Sequence, residues 1–341
     1  MSDCPRGLDE LAGRLSDPGD AVVRALTACP GDIIVLGAGG KMGPTLTRMA
    51  ARAALAVGDG RRVIAVSRFT SPDAARELEC AGVTCVHCDL LDADAVAALP
   101  DAPNVVFMAG QKFGTTEAPE RTWAMNVTVP QLCATRFPGA RIVAFSTGNV
   151  YPLVPVAGPG ARESDAPGPV GDYARSCLAR ERVFEAAALR GARVAIIRLN
   201  YANALTYGVL TDLAVRVATG QPVALAMGYV NVIWQGDANR AALELLPCAA
   251  SPALVVNVTG PERLAVRDLA IQLGRRLGRE PVFTGTEAAD ALLSDASLMR
   301  SLVSPASVTL DTMLDWTAEW VRAGRPLLGK PTRFDVRDGR F

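Results

Sequence analysis

A chain of 341 residues, half of them hydrophobic, can bury a full core as one large domain or two smaller ones. Its 35 basic and 35 acidic side chains cancel, which disfavours nucleic acid or an acidic membrane surface as a partner. No apolar run reaches spanning length, the N-terminus lacks the pattern of a signal peptide, and the 8 Cys are scattered as reduced thiols would be, so a cytoplasmic protein with no membrane partner is expected.

Residues 1–30 read as an N-terminal extension of two short helices, near 8–15 and 21–29, with no evident chemistry. Ile33-Ile-Val-Leu36 is then a continuous apolar run, the mark of a strand buried on both faces. Gly37, Gly40 and Gly43 follow at three-residue intervals, with Gly39, Lys41 and Met42 among them, and Met42, Leu46, Met49 and Ala53 begin a helical stripe. Strand, glycine turn and helix together make a nucleotide-binding device. The glycines let backbone approach a pyrophosphate, and the helix N-terminus offers unpaired N–H groups and the positive end of its dipole. The spacing is G-x-x-G-x-x-G, because Met42 takes the last glycine place of the commoner G-x-G-x-x-G frame.

A second strand over 62–67 ends at Ser67 and Arg68, where dinucleotide folds usually carry an acid for the adenosine ribose. A carboxylate there would repel a 2′-phosphate and Ser-Arg can bind one, which favours NADP over NAD. The third strand, over 82–88, contains Cys85, His87 and Cys88, a C-x-x-C with the only His of the chain. No second ligand pair follows, so buried strand residues are favoured over zinc and no metal site is expected. That strand ends at Asp89-Leu90. Strands over 104–110, 141–147 and 193–199 follow, the fourth ending at Ala109-Gly110. Helical stretches at 74–81, 93–99, 119–136 and 173–189 lie between them. The alternation predicts an α/β fold, a doubly wound parallel sheet of the Rossmann type, over residues 31–200. Ligands of such sheets bind beyond the carboxyl ends of the strands, where Gly37, Ser67, Asp89, Gly110 and Thr147 all stand.

Beyond residue 200 the alternation loosens. Helices are expected at 209–218, 264–277 and 310–322, and short strands at 222–226, 230–234 and 253–258. Trp316 and Trp320 stand four residues apart in the last helix and read as core packing. Residues 201–341 are expected to be mainly a smaller C-terminal substrate lobe over the strand ends, with some segments returning to the sheet.

These residues resemble the extended short-chain dehydrogenases/reductases, the family that includes the NAD-dependent sugar epimerases and dehydratases. The resemblance covers roughly residues 31–325. It rests on the Gly37/Gly40/Gly43 turn, Asp89-Leu90, Ala109-Gly110, Asn126, the run Ser146-Thr-Gly-Asn-Val-Tyr151, and Arg198-Leu-Asn200. It implies Thr147 and Tyr173 as the catalytic hydroxyls and Asp89 beside the adenine. It also places Leu90, Ala109, Gly110, Lys112, Tyr173 and Cys177 on the cofactor, NADP or NAD. The family's Tyr-x-x-x-Lys reads here Tyr173-Ala-Arg-Ser-Cys177. In a helix those two positions share a face, so the lysine normally stands beside the phenol. A phenol of pKa about 10 is ionised in only about one molecule in a thousand at pH 7. A cation within roughly 4–6 Å can lower that pKa by about 1–3 units, and Cys177 cannot supply one. The cationic nicotinamide itself can compensate, and so can Lys112, which directly follows the fourth strand; Lys112 is either a catalytic residue or a phosphate contact. Lys41 reads as a pyrophosphate or 2′-phosphate contact.

The family's usual substrate is sugar-like and polyhydroxylated. Thr147, Asn149, Asn200, Tyr229 and Asn231 are the expected substrate contacts, able to donate to and accept from hydroxyls. With few cations expected in the lobe, a simple sugar or sugar acid is favoured over a nucleotide sugar. Dehydration is disfavoured, because Gly148 and Asn149 stand where the dehydratases carry Asp-Glu. The resulting expectation is an NAD(P)-dependent oxidoreductase or epimerase acting by hydride transfer, with a homodimer implied by the resemblance. The alternative is a dinucleotide-binding sensor or assembly protein of the same fold, for which the missing lysine is the main support.

Overall fold

The structure, a computed structural model, describes residues 3–112 and 118–340. Seven parallel strands form its central sheet: Ile33–Leu36 (β1), Val63–Ser67 (β2), Thr84–His87 (β3), Asn104–Phe107 (β4), Arg141–Thr147 (β5), Arg193–Leu199 (β6) and Leu254–Val258 (β7). Their spatial order is β7-β6-β5-β4-β1-β2-β3, so the chain reverses direction across the sheet between β1 and β4. That reversal opens a crevice at the carboxyl ends of those two strands. The expected segment 253–258 is therefore the outer strand of the sheet beside β6 and not part of the lobe. Its residues are apolar except Asn257, whose buried amide accepts from the Tyr151 hydroxyl at 2.9 Å and donates to the Ala161 carbonyl at 2.9 Å.

Alternate residues of each strand feed two cores. Ile33, Val35, Ala65 and Val106 pack under helices Gly19–Thr27 (α2), Gly43–Val57 (α3) and Pro72–Cys80 (α4). Ile34, Leu36, Ile64 and Phe107 face the other way, toward Ala93–Ala97 (α5), Val129–Arg136 (α7, after α6 at Pro119–Trp123) and Gly171–Leu189 (α8). The helix expected over 119–136 is interrupted by a π-turn at Ala124–Thr128. Pro130 explains it, since proline has no N–H for the carbonyl of Asn126 and its ring crowds that carbonyl, so the turn widens.

A third core builds the lobe from Val209–Thr219 (α9), Val266–Leu277 (α11) and Leu310–Arg322 (α13), while Gln235–Glu244 (α10) and Ser297–Leu302 (α12) return to the sheet. Trp316 and Trp320 are buried in that lobe core, Trp316 edge-on to Trp234 at 5.7 Å. The N-terminal extension is shared out. Helix Leu8–Leu15 (α1) gives Leu11 and Leu15 to the lobe, whereas α2 gives Val22 and Leu26 to the sheet core. The C-terminal residues 326–340 run as a strap. Phe334, 1% exposed, plugs the lobe core, the Thr332 N–H and hydroxyl both donate to Asp212 Oδ2 (2.7 and 2.6 Å), and Gly339 lies against Gly171 at the head of α8. No helix among the described residues is long and apolar enough to cross a membrane.

Candidate functional site

The crevice between sheet and lobe holds a cavity of about 340 Å³. Its floor is the glycine turn. Gly37 takes φ +91°, and a Cβ there would stand 2.6 Å from the Ala109 nitrogen, so the ends of β1 and β4 meet backbone on backbone. Only glycine combines that dihedral with that approach. The turn is held to β2, with the Gly37 and Ala38 N–H groups donating to the Val66 carbonyl at 2.9 and 3.1 Å. Gly37, Gly40, Lys41, Met42 and Gly43 all line the cavity, and α3 starts at Gly43 with the amides of its first turn lacking helical acceptors. A pyrophosphate suits this cradle of small residues and unpaired amides.

Farther along the sheet, Ser67 Oγ lies against Gly39 and accepts from the Phe69 N–H at 3.5 Å. Arg68 is exposed, and its guanidinium makes no hydrogen bond or ion pair among the described residues. Asp89 is exposed past β3 and accepts from the Leu91 N–H at 3.1 Å, while Leu90 and Ala109 are buried. Of the C-x-x-C segment, Cys85 donates to the Ala75 carbonyl at 3.5 Å, and His87 meets Phe69 edge-on at 5.2 Å.

The opposite corner gathers the hydroxyls. Thr147 ends β5, lines the cavity, and caps the 3₁₀ turn Gly148–Val150 by accepting from the Asn149 N–H at 3.2 Å. Tyr173, in the first turn of α8, lines the cavity with Thr147 and packs against the cluster that contains Cys177. Burial pushes the phenol well above its ordinary range and the nearby thiol adds to the push, while Arg180 and Thr147 oppose it. Cys177 is fully buried, and burial raises its thiol too.

Lys112 places its ammonium 5.9 Å from the Tyr173 ring and donates to the Thr332 carbonyl at 3.4 Å. Burial pushes it down to about 8. Lys41 lays its ammonium 3.1 Å from the centre of the Tyr207 ring and is pushed down to about 7, first by burial and then by Lys112 and Lys330. Of the lysines of the chain, at 41, 112 and 330, the first two line this cavity.

The predicted substrate contacts divide. Thr147, Asn149 and Asn200 line the cavity; Tyr229 and Asn231 do not. Asn231 is buried with both ends of its amide engaged, donating to the Glu262 carbonyl at 2.8 Å and accepting from the Ser294 N–H at 2.9 Å. Tyr229 is held in a short antiparallel pair with Ala265.

Sequence reading missed Arg180, Tyr207, Gln111 and Thr332, all of which line the cavity. Thr332 and Tyr207 carry no local motif and arrive there only through the path of the lobe and strap. Asn126 had a signal in Pro130, four residues on. The widened turn holds its buried amide between the Gln111 backbone, accepting from N–H at 2.9 Å and donating to O at 3.0 Å, and Ser176 Oγ, to which it donates at 2.9 Å. Beneath Thr147, Arg198 pairs with Glu181 at 2.8 Å in full burial, with Ser146 donating to the same carboxylate. Satisfied on both sides, that pair fixes the strand end from which Thr147 projects.

No family model matches the chain, and no curated protein matches its sequence. Solved structures share its fold. MoeE5 in complex with UDP-glucuronic acid and NAD is 22% identical, with a TM-score of 0.68 over 86% of this chain and 100% of that one. UDP-glucose 4-epimerase of Thermus thermophilus, in complex with NAD, is 19% identical, with a TM-score of 0.69 over 85% and 99%. UDP-glucuronic acid 4-epimerase of Bacillus cereus, in complex with NAD, is 18% identical, with a TM-score of 0.68 over 85% and 96%.

Proposed function

We propose that the chain is a nicotinamide-dinucleotide-dependent epimerase or oxidoreductase acting at a carbinol carbon of an anionic, sugar-like substrate. The observation that carries this reading is that Thr147 and Tyr173 stand together on the wall of a cavity floored by the glycine turn. The fold shared with NAD-bound epimerases supports it further. The residues suited to hold the dinucleotide are Gly37, Gly39, Gly40, Lys41, Met42 and Gly43 at the pyrophosphate, Ser67 and Arg68 at the adenosine ribose, and Asp89 and Leu90 near the adenine. Ser67 and Arg68 favour NADP by their chemistry, although the structures compared above hold NAD. When bound, the nicotinamide supplies hydride exchange at the reacting carbon.

The chain's own residues do the rest. Thr147 orients the reacting hydroxyl beside Tyr173, which takes and returns the proton. Asn149 and Asn200 offer amides to the neighbouring hydroxyls. Lys112, which lines the cavity, suits a carboxylate, phosphate or diphosphate on the sugar, and Lys41, held over the Tyr207 ring, suits an anion of either ligand. The homodimer belongs to the same proposal, and sedimentation of the purified protein tests it.

The test begins by denaturing purified protein and identifying the released nucleotide by mass spectrometry. The protein is then incubated with sugar acids and nucleotide sugars, and configuration at each carbon is followed by NMR. Tyr173→Phe should lower kcat by about 10²-fold or more, the usual scale for a proton-transfer residue, with cofactor affinity little changed. Native turnover in Tyr173→Phe removes this mechanism. Tight nucleotide binding with no turnover of any sugar leaves the sensor reading instead.

A further inference from the structure

Cys177 leaves the catalytic corner without the lysine of the Tyr-x-x-x-Lys pattern. We propose that Arg180, one turn farther along α8, supplies the standing positive charge beside Tyr173, and that Lys112 does not. This rests on the reading of Tyr173 as the proton-transfer residue.

Residues 173, 177, 180 and 184 form one stripe of α8, the i, i+4, i+7 spacing of a helix face. Of the α8 arginines, Arg175 and Arg182 are exposed, whereas Arg180 is 6% exposed and lines the cavity. Its guanidinium is fastened from two sides, donating to the Phe145 carbonyl at 2.9 Å and to Asn126 Oδ1. Both acceptors are neutral. Arg180 makes no ion pair among the described residues, and the adjacent Glu181 is already paired with Arg198. The charge is thus buried and uncompensated, an arrangement costly to keep unless something answers it.

Two further features mark a place prepared for this group. A Cβ on Gly110 would stand 2.4 Å from a guanidinium nitrogen of Arg180 and 3.0 Å from Asn126 Oδ1, so the backbone at the end of β4 is bare where the arginine lies. The Arg180 Nε is buried with no hydrogen-bond partner among the described residues, a donor that a ligand acceptor in the cavity would complete.

The groups facing the Tyr173 hydroxyl are Thr147 from β5, Cys177 and Arg180 from α8, and Lys112 from the segment after β4. Arg180 favours the ionised form of both Tyr173 and Cys177. Lys112 answers in addition to Asp212 and Arg333, and Cys177 to Glu181. Lys112 stands 5.9 Å from the Tyr173 ring and turns a donor to the Thr332 carbonyl on the strap, and burial lowers its hold on the proton. A guanidinium keeps its charge throughout.

The test compares native protein with Arg180→Met, Arg180→Lys and Lys112→Met. The Tyr173 phenol is titrated by its ultraviolet difference spectrum, with Tyr173→Phe subtracted, without substrate or added cofactor. In Arg180→Met the titration should move up by about one pH unit or more, the scale for loss of a nearby cation. The basic limb of the kcat profile should follow it, and kcat at pH 7 should fall about tenfold or more. Arg180→Lys should recover most of both. Lys112→Met should leave the titration in place and alter only substrate KM. If Arg180→Met does not fold, Arg180→Gln keeps donors toward Phe145 and Asn126 without the charge and is read in the same way. A folded Arg180→Met or Arg180→Gln protein with native titration overturns the proposal, and so does a Lys112→Met protein whose titration moves. A titration that moves in a protein turning over no sugar upholds Arg180 and sinks the enzymatic reading instead.

Discussion

The two walls of the cavity are made of different material. On the sheet side, main chain meets main chain at Gly37 and Ala109, and the turn hangs by backbone hydrogen bonds from β2. On the lobe side, the surface is side chains brought from far apart: Tyr207 ahead of α9, Leu292 ahead of α12, and Thr332 on the strap. Backbone geometry dictates the first wall, so one motif suffices to build it. The second depends on how an entire core packs, and it can change its lining without disturbing the first. A common dinucleotide and a particular sugar would make these separate demands on one crevice.

If that division holds, damage to one wall should leave the other working. The largest effect is expected from Gly37→Val. Its Cβ would collide with Ala109 at a dihedral that β-branched residues avoid, so dinucleotide affinity should fall by about 100-fold or more and the melting temperature with it. Calorimetry and thermal melts check this, and native affinity would mean that the floor is softer than described.

Phe334→Ala should act on the lobe. Removing a fully buried Phe costs about 3–5 kcal/mol in well-packed cores. Sugar KM should rise about tenfold as Thr332 loosens, with dinucleotide Kd unchanged. A parallel loss of dinucleotide affinity would show the walls to be coupled.

The smallest effect is one of pH. Lys41 and Lys112 are pushed from 10.5 to about 7 and about 8, so the folded, ligand-free protein binds fewer protons than the unfolded chain between those values and 10.5. These groups therefore make stability rise with pH across that window. An anionic ligand draws the protons back. Its binding should take up protons near pH 8, measured by calorimetry in buffers of different ionisation enthalpy, and its affinity should fall as pH rises through 7 to 8. No proton uptake would detach the lysines from the substrate.

Six of the seven central strands were legible as apolar runs between turn residues, as was the glycine turn, because each rests on local spacing; Thr147 and Tyr173 were named only through the family resemblance. The strand at 254–258 was not assigned to the sheet, since an apolar run does not say which neighbour it pairs with. Tyr229 and Asn231 were legible as polar residues of the lobe, but nothing in sequence shows whether an amide turns inward to a carbonyl or outward to a ligand. Lys41, Lys112 and Thr332 come to one cavity only because three distant segments close on one another. Arg180 could have been found from the apolar stripe of α8 that it interrupts; among several arginines on one helix it looked like an ordinary surface charge.

The strap reaches Lys112 through the carbonyl of Thr332 and not through its side chain. Any amino acid carries that carbonyl, so natural selection acting here sees the path of the chain rather than the identity of the residue. Alanine at position 332 would keep this carbonyl while removing the hydroxyl that donates to Asp212, so such a variant reports on the anchor and not on the contact itself. Shortening the strap by one residue, or replacing the peptide bond with an ester, would expose it.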